Sequence, residues 1–328
     1  MTKKNIAVIW GGYSSEREVS ERSAQGIYNF LDKSLYNVIK VAIDYNKWTA
    51  QLNNRSYTIN RDDFSFKTDN EHIKFDFAYI ILHGTPGEDG PLQGYFDMLN
   101  IPYSSSGLLA CALTFSKFTC NNYLKSFGVK VANSILIRQN EVYDTKKIIN
   151  ELKLPLFVKP NVGGSSFAIT KVKQAKYLKE AIKEAFTEAN EVLIESFIEG
   201  IEVTCGCYKT RDGKTVLPIT EVVTHNEFFD YEAKYEGEVD EITPARISNE
   251  MTKRIQNLTL KLYDLVDAKG IIRADYIISN NEPVLLEINT VPGMTETSFI
   301  PQQVEAANLS MTDVLTDIIE HEYNKIKK

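Results

Sequence analysis

The residues best placed to do chemistry lie in the stretch IIRADYIISNNEPVLLEINTVPGMT, residues 271 to 295. Two runs rich in Ile, Val and Leu flank Asn280, Asn281 and Glu282, a polar group of the kind that closes a three-residue hairpin loop. Such a loop sets Asp275 opposite Glu287, Arg273 opposite Asn289 and Ile277 opposite Leu285, all on one face, because strand side chains alternate. The other face then carries Ala274, Tyr276, Ile278, Val284, Leu286 and Ile288 and belongs to a core. A two-residue loop would set Asp275 against an apolar residue and scatter the polar side chains over both faces. Directly opposed Cβ atoms lie about 4.5–5.5 Å apart, close enough for two carboxylates to share a cation and too close for both to ionise comfortably without one. Two carboxylates and an amide oxygen, with no His or Cys, suit Mg²⁺ or Mn²⁺. The competing reading is an exposed sheet edge salt-bridged through Arg273.

A second group with chemical potential is PLFVKPNVGGSSFAITKV, residues 155 to 172. Lys159 sits inside a strand, and the Gly163-Gly164-Ser165-Ser166 loop that follows offers backbone amides and hydroxyls to an anion. An ordinary hairpin explains the same residues. No GxxxxGK[ST] occurs, so a nucleotide would not be held by a P-loop. HGTPGEDG, residues 83 to 90, reads as a fixed turn after a strand; Glu88 and Asp89 could bind something, but the glycines and Pro86 already account for the turn. The segment 224 to 243, which holds FFDYEAKY, is long enough for a lid.

These groups need a scaffold, and its elements can be placed in outline. An apolar strand at Ile6 to Trp10, a Gly11-Gly12 turn and a helix-like run carrying Glu16, Arg17 and Glu18 resemble the first unit of a doubly wound α/β domain. Val38 to Ile43 and Phe75 to Leu82 supply further strands. Residues 107 to 127 read as one helix with Lys117 in its interior, 174 to 189 as a second, 247 to 268 as a third and 310 to 326 as the last. Strands from 192 to about 223 form a meander.

Composition excludes some roles. The 328 residues, 43% hydrophobic and 25% charged, suit a folded enzyme of two or three domains. A net charge of −7 without a basic stripe argues against nucleic acid as a partner. The chain opens directly into a strand, and no apolar run reaches the roughly 18 residues of a membrane span, so a cytoplasmic protein without a membrane partner is expected. Cys111, Cys120, Cys205 and Cys207 lack CxxC spacing, and the four histidines are too dispersed for a zinc site.

Six motifs in order, GGYSSEREVS, HGTPGEDGPLQG, FVKPNVGGSS, FDYEAKY, RADY and LEINTVPGMT, resemble the D-alanine–D-alanine ligases of the ATP-grasp superfamily from residue 5 to about 325. The resemblance implies an N-terminal doubly wound, Rossmann-like α/β domain (1–115) followed by a two-part ATP-grasp fold: a central domain (116–202) and a C-terminal domain (203–328) with the metal hairpin and the lid loop 224–243. It implies ATP, two Mg²⁺ ions or Mn²⁺, two D-alanine molecules and a homodimer. Lys117 and Lys159 would contact phosphate; Glu195, Ser196, Phe197 and Ile198 would line adenine, and Glu202 the ribose. Asp275, Glu287 and Asn289 would hold the metal. Glu16 would take the first ammonium, with Ser165 and Tyr235 linked to it, and His83 would lie near the substrate carboxyl. Arg273 would stabilise charge, Lys234 would reach the γ-phosphate, and Gly293, Ser298 and Phe299 would receive the second D-alanine. Ser116, Ala168, Ser196 and Phe299 depart from the family's usual residues, which bears on nucleotide affinity and second-substrate fit. A D-alanine–D-lactate ligase or another ATP-grasp carboxylate–amine ligase is the alternative.

Overall fold

The computed structural model describes residues 3–164, 167–224 and 239–326. Its first sheet is built on β1 (Lys4–Gly11), whose last six residues are all buried. After α1 (Arg17–Phe30) come β2 (Tyr36–Ile43), β3 (Trp48–Leu52), β4 (Arg55–Thr58), the small hairpin β5 (Ser65–Lys67) and β6 (His72–Lys74), and β7 (Phe77–Ile80). The order is β4-β3-β2-β1-β7, with β1 parallel to both β2 and β7 and with β3 and β4 returning antiparallel. The parallel centre explains why β1 reads as a continuous apolar run. One face packs Ile6, Val8 and Trp10 on Ala24 and Ile27 of α1 and on the C-terminal helix; the other packs on Phe64, Phe66 and Phe96.

The sheet leads through α2 (Pro91–Leu99) to α3 (Leu108–Phe115) and α4 (Lys117–Lys125). The single helix expected over 107 to 127 is therefore broken. Ser116 adopts an extended backbone, and its hydroxyl accepts from the Thr119 N–H at 3.4 Å, a capping arrangement that starts a new helix. Lys117 thus stands at the first position of α4 instead of the interior of a longer helix.

The middle sheet comprises β8 (Ser134–Arg138), β9 (Leu156–Pro160), β10 (Thr170–Val172) and β11 (Glu191–Ser196), in the order β10-β9-β11-β8, all antiparallel. Helices α5 (Thr145–Leu152) and α6 (Leu178–Ala185), the latter preceded by a 3₁₀ turn at Ala175–Tyr177, cover the face that carries Leu156, Val158, Val192 and Ile194. The opposite face carries Lys159, Phe157 and Phe157's rung partners Lys171 and Glu195.

The third sheet follows: β12 (Ile201–Thr210), β13 (Gly213–Thr224), β14 (Val239–Ile242), then α7 (Asn249–Leu265), β15 (Ile271–Ser279) and β16 (Glu282–Asn289), in the order β14-β13-β12-β15-β16. Helices α8 (Phe299–Ala306) and α9 (Met311–Ile326) complete the chain. Hairpin β15–β16 pairs Arg273 with Asn289 and Asp275 with Glu287, as the alternation predicts. The loop, however, has two residues. Asn280 and Asn281 both take left-handed backbone conformations, with φ of 49° and 58°, and Ser279 pairs with Glu282. Asparagine tolerates that conformation, and a bulge that leaves Leu286 unpaired absorbs the one-residue slip, so the polar residues stay on one face. Ile277 consequently faces Val284, and Leu285, at 0% exposure, takes the core place expected of Leu286. The core side packs on Met251, Ile255 and Leu262 of α7.

Candidate active site

The three sheets meet at a cleft of about 480 Å³ whose lining includes Glu16 and Ser23 from the β1–α1 region, His83 and Glu88 from the loop after β7, Lys117 from α4, Arg273, Glu287 and Asn289 from β15–β16, and Gly293, Ser298 and Phe299 beyond them. A second opening of about 360 Å³, lined by Tyr13, Lys159 and Phe167, shares Glu16, Lys117, Gly163, Gly164 and Glu287 with it. Residues scattered over nearly the whole chain are thus gathered at one place.

Asp275 lines neither opening and stands behind Arg273, held by four hydrogen bonds. Arg273 donates to it twice, at 2.8 and 2.7 Å, Thr204 donates from the adjacent strand at 2.6 Å, and the Asn289 amide donates at 3.0 Å. Glu287 lies 3.4 Å from the Lys117 ammonium, which also donates to the Gly163 carbonyl at 2.6 Å. The sharing of carboxylate charge anticipated from the hairpin is met here by Arg273, Lys117 and Asn289, the salt-bridged arrangement of the competing reading. Burial alone would weaken the charge of Arg273, but the Asp275 ion pair outweighs it and pushes its pKa up. The planar fork is held by two parallel bonds, which fixes its direction as well as its charge.

The donor set of Asp275, Glu287 and Asn289 fits a hard divalent cation in chemistry and proximity, all three being oxygen-bearing and within neighbouring rungs. Asn289 turns Nδ2 toward both carboxylates, at 3.0 and 3.5 Å, so an oxygen ligand there requires the amide turned over.

Lys159 and Glu195 form a buried pair at 2.6 Å; burial opposes the ammonium charge, and Glu195 outweighs it and raises the Lys159 pKa. Neither Glu195, Ser196, Phe197 and Ile198 nor Glu202 lines the two openings. They form the junction between β11 and β12. Ser196 donates to the Leu152 carbonyl at 2.8 Å, and the Lys171 ammonium stands 3.9 Å from the centre of the Phe197 ring. Glu202 pairs with Val222 and Ile277.

On the other side of the cleft, His83 Nε2 lies 3.1 Å from the Ser23 hydroxyl. Burial lowers the His83 pKa against the opposing pull of Glu16, so the ring is neutral near pH 7. Glu88 accepts from the Gly84 N–H at 2.7 Å, and burial, then the neighbouring Glu16 charge, pushes its carboxyl up to about 8. A fixed turn over 83–90 explains the backbone here but gives no hint of that perturbed carboxyl. Ser298 precedes α8, accepts from the Thr295 N–H at 3.0 Å and bonds the Thr295 hydroxyl at 2.8 Å. The Phe299 ring lies 5.3 Å from the Arg273 guanidinium carbon. Helix α1 approaches this loop so closely that a Cβ on Gly26 would come within 1.9 Å of the Met294 carbonyl. Ser165, Lys234 and Tyr235 lie outside the described residues, as does most of the expected lid; β13 and β14, on either side of it, pair at Thr224 and Val239.

Thr204, Asn161 and Lys171 are not singled out by sequence reasoning. Thr204 and Lys171 acquire their places through cross-strand pairing and Asn161 through bonds to α4 and Glu191, and none of the three carries a local signal.

The family model described as D-ala D-ala ligase N-terminus matches residues 5–106, and that described as D-ala D-ala ligase C-terminus matches residues 123–320. The chain belongs to the D-alanine–D-alanine ligase family. A relative from Bacteroides fragilis named D-alanine–D-alanine ligase is 57% identical over 323 residues, covering 98% of this chain and 100% of its own. Among solved structures, the VanG D-Ala:D-Ser ligase from Enterococcus faecalis superposes with a TM-score of 0.86 at 32% identity, covering 98% of this chain and 100% of that one. The D-alanine–D-alanine ligase from Bacillus anthracis complexed with ATP gives 0.80 at 28%, covering 99% of each. The neighbours are D-alanine–D-alanine and related ligases, which have the ATP-grasp fold.

Proposed function

We propose that this chain uses ATP to join two D-alanine molecules into D-alanyl-D-alanine, through a D-alanyl phosphate, for peptidoglycan precursor synthesis. The observation that carries the reading is the convergence of Glu16, His83, Lys117, Arg273, Glu287 and Ser298 on a single cleft. A carboxylate is a poor electrophile, so the first D-alanine must be activated. Glu16 takes its ammonium, neutral His83 lies near its carboxyl, and a carboxylate oxygen attacks the γ-phosphorus of ATP as ADP leaves. Lys117 and Lys159 offset charge on the phosphates. The amine of the second D-alanine then attacks the acyl carbon, loses a proton, and phosphate leaves. Arg273, aimed by Asp275, stabilises the oxyanion of that step. Asp275, Glu287 and Asn289 would hold Mg²⁺ or Mn²⁺, up to two ions, whose charge lowers the cost of bringing the anions together. Glu195 to Ile198 and Glu202 serve the nucleoside, with Lys171 holding Phe197. Gly293, Ser298 and Phe299 receive the second substrate. Ser165, Lys234 and Tyr235 complete the site, and the FDYEAKY stretch that carries the last two keeps water from it.

We further propose the three-domain division 1–115, 116–202 and 203–328, a homodimer and a cytoplasmic location. Among the described residues no helix is long and apolar enough to cross a membrane. The likeness to a D-Ala:D-Ser ligase favours D-serine as the competing second substrate. Phosphate release from ATP, measured with D-alanine, L-alanine, D-lactate and D-serine, tests the assignment. Release with D-alanine alone is the expected result, and equal release with L-alanine contradicts it.

A further inference from the structure

Asn161 directly follows β9, just before the glycine loop, and it is fully buried, at 0% exposure. Every polar atom it has is used. Its N–H donates to the Glu191 carbonyl at 2.9 Å, and its carbonyl accepts from the Lys117 N–H at 3.0 Å. Its Oδ1 accepts from the Phe118 N–H at 2.9 Å, and its Nδ2 donates to the Ser116 hydroxyl at 3.1 Å and to Glu191 at 2.7 Å. The amide orientation follows from this pattern, since turning it over would set Nδ2 against the Phe118 N–H.

The first two N–H groups of α4 are thus bonded to one residue of another element, while Ser116 takes the third. A helix end without such partners frays. The first residue of this helix is Lys117, whose ammonium bridges Gly163 and Glu287. Asn161 therefore holds the backbone from which Lys117 extends and also stands two residues before the carbonyl that Lys117 contacts.

We propose that Asn161 is a positioning residue for ATP: it fixes the start of α4 against the end of β9 so that Lys117 faces the phosphate. The inference rests on the reading of Lys117 as a phosphate contact. It concerns nucleotide binding and not the D-alanine sites, because none of the bonds of Asn161 reaches Glu16, His83 or Ser298.

A double-mutant cycle in the full-length protein tests it. Asn161→Ala should raise KM for ATP roughly tenfold while KM for D-alanine stays within about twofold. In a Lys117→Met background the same substitution should change KM for ATP by less than about twofold, because the group it positions is gone. Equal multiplication of KM for ATP in both backgrounds, a parallel rise for both substrates, or no change in the single variant would overturn the inference. If the alanine variant does not fold, Asn161→Asp, which is isosteric and keeps the acceptor for Phe118, is put through the same cycle and read by the same criterion. If Lys117→Met alone leaves KM for ATP unchanged, the phosphate role of Lys117 has failed and the inference falls with it. If Lys117→Met raises KM and the effects are additive, only the inference about Asn161 has failed.

Discussion

Replacing Gly164 with alanine should damage D-alanine use far more than ATP use. A Cβ on Gly164 would lie 2.7 and 3.0 Å from the two carboxylate oxygens of Glu16 and 3.2 Å from its carboxyl carbon. Gly164 is not among the glycines in the left-handed region, whereas Gly163 is, so the backbone accepts alanine and the strain falls on the neighbour. Glu16 ends a side chain and can retreat, so the fold should survive. A retreat of several tenths of an ångström is enough to misplace the bond to the substrate ammonium. A hydrogen bond to a charged group is worth about 1.5–3 kcal/mol, so kcat/KM for D-alanine should fall roughly tenfold to a hundredfold. Initial rates against D-alanine at saturating ATP, and against ATP at saturating D-alanine, separate the two effects. Combining the change with Glu16→Gln should cost less than the sum of the two singles. An unchanged KM for D-alanine, or additivity with Glu16→Gln, would refute the placement of Glu16.

Three further outcomes are expected. Glu287→Gln should lower turnover by roughly a hundredfold or more at saturating Mg²⁺ with little change in melting temperature, because the apolar side of the hairpin is untouched; near-normal turnover would remove Glu287 from the metal set. Glu88, pushed up to about 8 chiefly by burial, stays protonated in the folded protein where the unfolded chain, at a value near 4.5, would ionise. Its stabilising contribution is therefore present below that lower value and lost as pH rises to about 8, and the melting temperature should fall more between about pH 5 and about pH 8.5 for the wild type than for Glu88→Gln; parallel pH profiles would contradict this. Tyr235→Phe should shift the product from dipeptide toward the D-lactate ester when both acceptors are present, and an unchanged ratio would place selectivity elsewhere, with Phe299 the next residue to test.

Much of this arrangement is legible in the amino-acid sequence. The Asp275–Glu287 and Arg273–Asn289 rungs follow from strand alternation, because a slip would expose Tyr276 and Ala274, both at 0% exposure. The loop length is not legible, since a bulge can hide one residue and leave the charged end of the hairpin in register. The break at Ser116 is hidden because neither Gly nor Pro interrupts 108 to 127, and only the Ser116 hydroxyl marks the cap. Strands β3 to β6 escape notice because they are short and largely polar; β4 buries no residue fully. Glu88 is visible as a residue, but its perturbed carboxyl depends on burial beside Glu16, which is distant in sequence. Thr204 and Asn161 need the strand order itself.

The most direct test of the central claim is isotopic. If a D-alanine carboxylate attacks the γ-phosphorus, D-alanine labelled with heavy oxygen in its carboxyl should transfer one labelled oxygen to phosphate for each D-alanyl-D-alanine formed, with ADP in equal amount. Mass analysis of the released phosphate reads this directly. Dipeptide formed with unlabelled phosphate would contradict the acyl phosphate route, and labelled phosphate without dipeptide would contradict the assignment of Gly293, Ser298 and Phe299 to the second substrate.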